Sequence, residues 1–263
     1  MKYETLLFNR EGGAAVITLN RPERRNAISN QMRYELCEAI DAANHDENIG
    51  AIVLTGAGKS FCAGADISRF EKRDTPQPEI PNPRFEWVEQ VYASKPIVCA
   101  INGYAIGAGL TRTLVCDVRI ASTAASFSMR FVKVGLVPEL GSTFFLPQIV
   151  GMQSALDLSL SGRTIDAQEA LRIGLVLKVV EPEKLMPEAL RLAESYAENP
   201  PGAVMAAKKL ILANAVNPEI RQVIKSENES LLSRVGLAEN QEAIAAFREK
   251  RKPDFKAFRK KPA

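Results

Sequence analysis

An α/β fold is predicted by the way in which apolar strand-like runs alternate with helix-like stretches along this chain of 263 residues. Four runs are predominantly apolar, interrupted by a charge only at Arg119, and most are rich in β-branched residues, which is typical of strands covered on both faces of a sheet. Most of them end at a turn signal such as Gly56 or Asn102-Gly103. The four runs cover residues 14–19, 51–55, 96–101 and 118–121.

The first helix is predicted to begin after Ser29, because a serine side chain is well suited to the N-cap position. Apolar residues then recur at helical spacing on one face. They are Met32, Leu36, Ala39 and Ile40. The single histidine of the chain, His45, falls at the polar end of this helix and is interpreted as a surface residue. A general base must therefore be a carboxylate, lysine, tyrosine or cysteine.

The strand signal disappears beyond about residue 185, and the remaining sequence favours helices over 186–197, 203–216, 219–235 and 238–250. We therefore predict a core over residues 1–195 and a helical region over residues 196–263. Four prolines within eight positions exclude regular structure between residues 74 and 84. This loop is either solvated or a flap over a substrate pocket.

Composition and charge exclude several function classes. A formal net charge of +3 is too small to indicate nucleic-acid binding. The four cysteines lie far apart, which predicts free thiols and neither a disulfide framework nor a metal site. No run approaches the roughly 20 apolar residues of a membrane span, and the N-terminus has no apolar signal region. We expect a cytoplasmic enzyme with no membrane partner.

Two segments of small residues, 61–67 and 101–109, each follow a strand-like run and precede a helix-like one. Small side chains leave backbone N–H groups open to close approach by a ligand. Two such groups aimed at one oxygen would form an oxyanion hole. The alternative is that the glycines only permit tight packing.

Five sequence blocks together resemble the crotonase (enoyl-CoA hydratase/isomerase) superfamily over nearly 240 residues. The resemblance implies a spiral of ββα units, a helical trimerisation region, and assembly as a homotrimer or a hexamer. It also implies an acyl-CoA thioester as substrate, an enolate stabilised at the thioester carbonyl, and no further cofactor. The blocks are residues 20–27, 61–67, 95–103, 161–176 and 246–253.

The resemblance also assigns site residues. It implies that the amides of Ala63 and Ala108 form the oxyanion hole. Other positions match the CoA-binding path of the family, and the basic stretch over residues 248–261 lies near the CoA phosphates, sometimes those of a neighbouring subunit, unless it is a solvated tail. These positions are Arg24 and Arg25 beside the nucleotide, Ala65, Asp66 and Ile67 along the adenine and pantetheine path, and Phe258 and Lys261 near the phosphates.

The chain departs from the hydratase pattern at the two positions where hydratases carry catalytic glutamates. Thr111 and Phe131 stand there, and neither side chain can take a proton at neutral pH. Glu139, which follows Pro138, resembles the single glutamate of Δ3,Δ2-enoyl-CoA isomerases. We therefore expect Glu139 to move one proton from C2 to C4 of a 3-enoyl-CoA.

Two alternatives stay open. The chain could be a hydratase in which Glu139 or an unrecognised residue activates water, or a silent acyl-CoA binder. Phe131 favours the isomerase because an apolar wall excludes the water that a hydratase must hold. Cys62 is interpreted as a small buried thiol. Arg112 faces either solvent, a neighbouring subunit or the pocket.

Overall fold

The computed structural model describes residues 2–66, 83–215, 229, 233 and 237–258. Ile67 and Lys261 lie outside these residues, as do most of the predicted 74–84 loop and most of the helix predicted over 219–235.

Ten strands are formed within the described residues, and they include the four runs predicted from the sequence. The strands are β1 (Leu6–Glu11), β2 (Ala14–Leu19), β3 (Ala51–Gly56), β4 (Ser60–Cys62), β5 (Ile97–Ile101), β6 (Tyr104–Ile106), β7 (Val118–Ser122), β8 (Ser126–Ser128), β9 (Ile165–Asp166) and β10 (Lys178–Val180).

Nine α-helices accompany them in the described part of the chain, with 3₁₀ turns at Pro22–Arg24, Arg130–Val134 and Lys256–Phe258. The helices are α1 (Asn30–His45), α2 (Pro83–Ala93), α3 (Ala108–Leu114), α4 (Ser142–Val150), α5 (Met152–Ser161), α6 (Ala167–Arg172), α7 (Pro182–Ala197), α8 (Pro201–Asn214) and α9 (Ala238–Glu249). None of these helices is long and apolar enough to cross a membrane.

The sheet topology confirms the predicted spiral of ββα units. Strands β3, β5 and β7 are parallel neighbours in a six-stranded sheet of order β1-β2-β3-β5-β7-β10. The strand that follows each of them joins a second sheet of order β4-β6-β8-β9, again with parallel pairing from β4 to β8. Each unit therefore adds one strand to each sheet, and equivalent turns stack at the same edge.

Both faces of the large sheet are buried, as the unbroken apolar runs predict. Ile52 and Leu54 of β3 point into the main core, which includes the apolar face of α1. The alternate residues Ala51 and Val53 pack against the buried alanines of α7. This two-sided cover explains why β3 reads as a continuous apolar run.

The ends of two predicted helices are confirmed or corrected by local contacts. The Ser29 side chain accepts a hydrogen bond from the N–H of Met32 (3.1 Å), as an N-cap should. The helix that follows the second small-residue segment begins at Ala108, because Gly107 has non-helical dihedrals (φ 52°, ψ −122°). It ends at Leu114, and beyond it the Asp117 carboxylate accepts from the N–H of Ile97 (2.7 Å).

Candidate functional site

The two small-residue segments form turns that touch each other. The first turn (residues 63–66) follows β4 and the second turn (residues 107–109) follows β6, the parallel neighbour of β4. A Cβ atom on Gly109 would lie 2.2 Å from the Cys62 carbonyl oxygen, and one on Gly64 would lie 2.9 Å from the Ile106 carbonyl oxygen. Glycine is therefore required at both positions for the two backbones to approach.

The first turn corrects one predicted amide. The N–H of Ala63 donates to the Arg25 carbonyl oxygen (3.0 Å), so it is not available to a ligand. Ala65 forms a parallel bridge with Ile28, in which the hydrogen bonds run from Ile28 to Gly64 (2.8 Å) and from Asp66 to Ile28 (3.1 Å). The N–H of Ala65 consequently points away from Ile28 and has no partner among the described residues. Ala65 replaces Ala63 as the candidate donor.

The second turn presents the amide of Ala108 at the beginning of α3. The N–H groups of Leu110 and Thr111 both donate to the Gly107 carbonyl oxygen, whereas the first N–H of a helix has no acceptor within it. A Cβ atom on Gly64 would lie 3.7 Å from the Ala108 nitrogen, so this amide lies beside the first turn. The positive φ falls on Gly107, which leaves Ala108 unstrained.

Phe131 and Thr111 line the second turn. The Phe131 ring is buried, and its Cζ atom lies 4.0 Å from the position of a Cβ atom on Gly107. Thr111 lies one helical turn after Gly107 on the same face of α3, and it is fully buried. An apolar ring and a hydroxyl therefore adjoin the candidate oxyanion hole at the two positions where a hydratase would carry glutamates.

Glu139 lies on the segment that leads from the 3₁₀ turn at Arg130–Val134 into α4, and it is half-buried. Its carbonyl oxygen accepts from the N–H of Ser142 (3.1 Å), which closes the turn formed by Leu140 and Gly141. Helix α4 packs against α3, the helix that begins with Ala108. The segment with the candidate base is thus attached to the helix that presents an oxyanion donor.

Residues 9–258 match the family described as enoyl-CoA hydratase/isomerase. The chain belongs to this family. It is 37% identical over 257 residues to a short-chain-enoyl-CoA hydratase of Clostridium acetobutylicum, with 96% of this chain and 97% of the relative covered. It is 34% identical over 261 residues to the 1,2-epoxyphenylacetyl-CoA isomerase of Escherichia coli, with 96% and 98% covered. A crystal structure of an enoyl-CoA hydratase from Bacillus anthracis superposes with a TM-score of 0.87 at 32% identity, with 96% and 99% covered.

The names of these relatives therefore include an enoyl-CoA hydratase and a 1,2-epoxyphenylacetyl-CoA isomerase. The chain is an enzyme of this family, and its fold is the one that the sequence predicted.

The arginines expected beside the CoA nucleotide lie next to the first turn. Arg24 and Arg25 are exposed, and the carbonyl of Arg25 holds the Ala63 amide. Asp66 forms an ion pair with Arg21 (3.1 Å), which ties the end of the first turn to the arginine loop. The structure therefore brings both arginines, Ala65 and Asp66 into one neighbourhood.

Asn26 was not singled out by the sequence, although it supports this neighbourhood. It is fully buried, and its Nδ2 donates to the carbonyl oxygens of Ala57 (2.9 Å) and Ser60 (2.7 Å). Its Oδ1 accepts from the N–H of Arg21 (2.9 Å). Asn26 also has a positive φ of 55°, which asparagine adopts more readily than most residues. Asn26 lies within the sequence block 20–27. Its role could not be predicted from that block, because it depends on contacts with β4.

Phe258 is not brought to the turns of its own chain. It lines a cavity of about 300 Å³ together with Gly50 and Pro96, which precede the amino-terminal ends of β3 and β5. The two turns follow the carboxyl ends of β4 and β6. Within one chain Phe258 therefore lies away from the two turns, and its contact with CoA, which the resemblance also allows from a neighbouring subunit, stays a prediction.

Two remaining candidates have packing roles. Burial raises the pKa of the Cys62 thiol to about 11, against the opposing effects of a backbone hydrogen bond with Gly64 and of the Arg112 guanidinium. Arg112 is buried with its guanidinium 5.0 Å above the Trp87 ring, and its carbonyl accepts from the Trp87 indole N–H (3.2 Å). Arg112 therefore does not face solvent. Within the described residues, no group of three histidine, cysteine or acidic side chains could hold a metal ion.

Proposed function

We propose that this enzyme is a Δ3,Δ2-enoyl-CoA isomerase in which Glu139 carries the proton between C2 and C4. One observation carries the proposal. Thr111 and Phe131, which cannot transfer a proton, line the second turn, whereas Glu139 stands on the segment attached to the same helix. An isomerase needs a single base, and a hydratase of the usual kind needs two carboxylates.

The amides of Ala65 and Ala108 are proposed to bind the thioester oxygen. Both are N–H groups without a partner among the described residues, and they come from two turns in direct contact. Each such donor is typically worth about 3 kcal/mol of transition-state stabilisation. Negative charge that develops on the oxygen is stabilised further at the amino-terminal end of α3.

The reaction needs no redox partner and moves one proton. The Glu139 carboxylate removes a proton from C2, and the electron pair delocalises into the thioester carbonyl to form a dienolate. The carboxylic acid then returns the proton to C4 as the double bond shifts to C2–C3. A positioned acid–base group of this kind typically contributes about 10²- to 10⁴-fold in rate.

The surroundings of Glu139 favour isomerisation over hydration. The buried ring of Phe131 lies against Gly107 and offers no hydrogen bond to a water molecule at the position where a hydratase carries a glutamate. The hydratase alternative is supported by the names of relatives such as the Clostridium acetobutylicum enzyme. In that alternative Glu139 activates a water molecule for addition to a 2-enoyl-CoA.

The test is the Glu139→Gln variant assayed with 3-hexenoyl-CoA and, separately, with 2-hexenoyl-CoA. We expect the wild type to isomerise the first substrate, and the variant to lose about 10³-fold in kcat with its affinity for CoA thioesters nearly unchanged. The exposed Glu47→Gln is the matched control and should keep full activity. Full activity of Glu139→Gln contradicts the proposal. Hydration of 2-hexenoyl-CoA without isomerisation of 3-hexenoyl-CoA supports the hydratase alternative. Binding without turnover of either substrate indicates a silent acyl-CoA binder.

The proposal includes the CoA moiety and the assembly. The exposed Arg24 and Arg25 beside the first turn are proposed to face the phosphates, whose charge they complement. A homotrimer or hexamer is proposed because several large apolar side chains remain exposed in the single chain. They include Val134 (64% exposed), Val137 (79%) and Leu160 (72%).

A further inference from the structure

Two hydroxyl groups near the candidate site are buried without a hydrogen-bond partner. Thr111 is 0% exposed and Ser142 is 1% exposed, and neither Oγ1 of Thr111 nor Oγ of Ser142 bonds to any described atom. A buried hydroxyl that has lost its contact with water destabilises a fold unless another group forms a hydrogen bond with it. Groups of this kind occur where a ligand supplies the partner.

The two hydroxyls come from helices that pack against each other beside the base. Thr111 shares a face of α3 with Gly107, against which the Phe131 ring lies. Ser142 begins α4 and lies on its inward face with the buried Leu146. The N–H of Ser142 also closes the turn that carries Glu139. The hydroxyls therefore accompany both elements of the proposed active site.

A second threonine on the same helix shows that α3 can satisfy a buried hydroxyl by itself. Thr113 is also 0% exposed, and its Oγ1 donates to the Leu110 carbonyl oxygen (2.8 Å). Thr111 makes no such bond to its own helix. The two threonines lie on different faces of α3. Thr111 shares the face of Gly107, whereas Thr113 lies on another part of the helix surface.

The substrate of the proposed isomerase has no oxygen left for these hydroxyls. The acyl group of a 3-enoyl-CoA carries a single oxygen, the thioester carbonyl, and the amides of Ala65 and Ala108 are proposed to bind it. Thr111 lies three residues after Ala108, roughly 4.5 Å further along the helix axis. The β-carbon of an acyl group lies two bonds beyond the thioester carbon, and we infer that it is the acyl atom beside Thr111.

We propose that Thr111 and Ser142 bind a second oxygen atom beside the β-carbon of the acyl group. This inference rests on the proposed function for the position of the thioester. The oxygen has two chemical sources: a hydroxyl or oxo substituent of an oxygenated acyl-CoA, or a water molecule held next to the double bond. Either source makes Thr111 a specificity-determining residue.

The experiment compares the binding of butyryl-CoA and 3-hydroxybutyryl-CoA by calorimetry. We expect the wild type to prefer the hydroxylated ligand by about fivefold to tenfold, as one or two added hydrogen bonds would provide. Thr111→Val should reduce this preference to about onefold, and Ser142→Ala should reduce it in part. Thr111→Ser, which keeps the hydroxyl, should retain the preference. Thr113→Val is the matched control and should leave it unchanged.

A second assay separates the two sources. The bound oxygen is water if the wild type does not prefer 3-hydroxybutyryl-CoA to butyryl-CoA but hydrates 2-butenoyl-CoA. In that case Thr111→Val should lower the rate of hydration about tenfold more than the rate of isomerisation. The inference is overturned if Thr111→Val and Ser142→Ala change neither the preference nor the ratio of the two activities. Glu139→Gln should keep the binding preference, so a failure of the proposed base is distinguishable from a failure of this inference.

Discussion

The two touching turns and the segment over residues 130–141 differ in how tightly they pack against the rest of the molecule. The turns are formed by backbone contacts so close that Gly64 and Gly109 admit no side chain. The segment that carries Glu139 is instead largely exposed, with Val134 and Val137 at 64% and 79% exposure. In the proposed mechanism, stabilisation of the enolate would therefore depend on rigid backbone geometry, whereas the choice of reaction would depend on a few side chains of a largely exposed segment.

The largest contrast is expected between Gly109→Ala in the second turn and Gly135→Ala in the segment. A Cβ atom on Gly109 would clash with the Cys62 carbonyl oxygen at 2.2 Å, so the turns must move apart. We expect a loss of about 3 kcal/mol in the free energy of unfolding and loss of activity. At Gly135 no atom lies within 4 Å of the added Cβ, and only its positive φ of 70° costs about 1 kcal/mol. Equal losses in denaturant unfolding would contradict the contrast.

A smaller effect is expected from Asn26→Ala, which removes the side chain that ties the arginine loop to β4. The variant leaves the buried carbonyl of Ser60 short of a donor, and it places alanine at a positive φ. We expect a loss of about 2 kcal/mol in the free energy of unfolding. The exposed Asn48→Ala is the control, with an expected change below about 0.5 kcal/mol. Similar midpoints for both variants in urea unfolding would show that Asn26 does not support the first turn.

The smallest effect is expected from thiol reagents. Because burial raises the pKa of Cys62 to about 11, this thiol stays protonated below that pH, with a thiolate fraction of about 10⁻³ at pH 8. The half-buried Cys37 should therefore react with iodoacetamide well before Cys62 in the native enzyme. Peptide mapping by mass spectrometry measures both sites. Labelling of Cys62 as fast as Cys37 would show that the first turn opens readily.

The parts of this molecule that could be predicted from its sequence are those set by local pattern. The buried strands follow from unbroken apolar runs, and the Ser29 cap follows from side-chain chemistry. The location of the two turns followed from their small residues. The identity of the free amide did not, because the Ala63 N–H is taken by the carbonyl of Arg25, which lies far away in the sequence.

The placement of Phe258 could not be predicted for a similar reason. Its position beside the amino-terminal ends of β3 and β5 depends on how the helical region packs on the core. Local sequence patterns do not predict how the helical region packs on the core. The lack of a hydrogen-bond partner for the Thr111 hydroxyl could likewise not be predicted from the sequence. A threonine in a helix can bond to the backbone of its own helix, as Thr113 does.

The most direct test of the central claim is a crystal structure of the enzyme with butyryl-CoA, an unreactive acyl-CoA. We predict that the thioester oxygen lies within about 3.2 Å of the backbone nitrogens of both Ala65 and Ala108, with the Glu139 carboxylate facing C2. A thioester oxygen bound elsewhere, or a Glu139 carboxylate turned to solvent, would contradict the account.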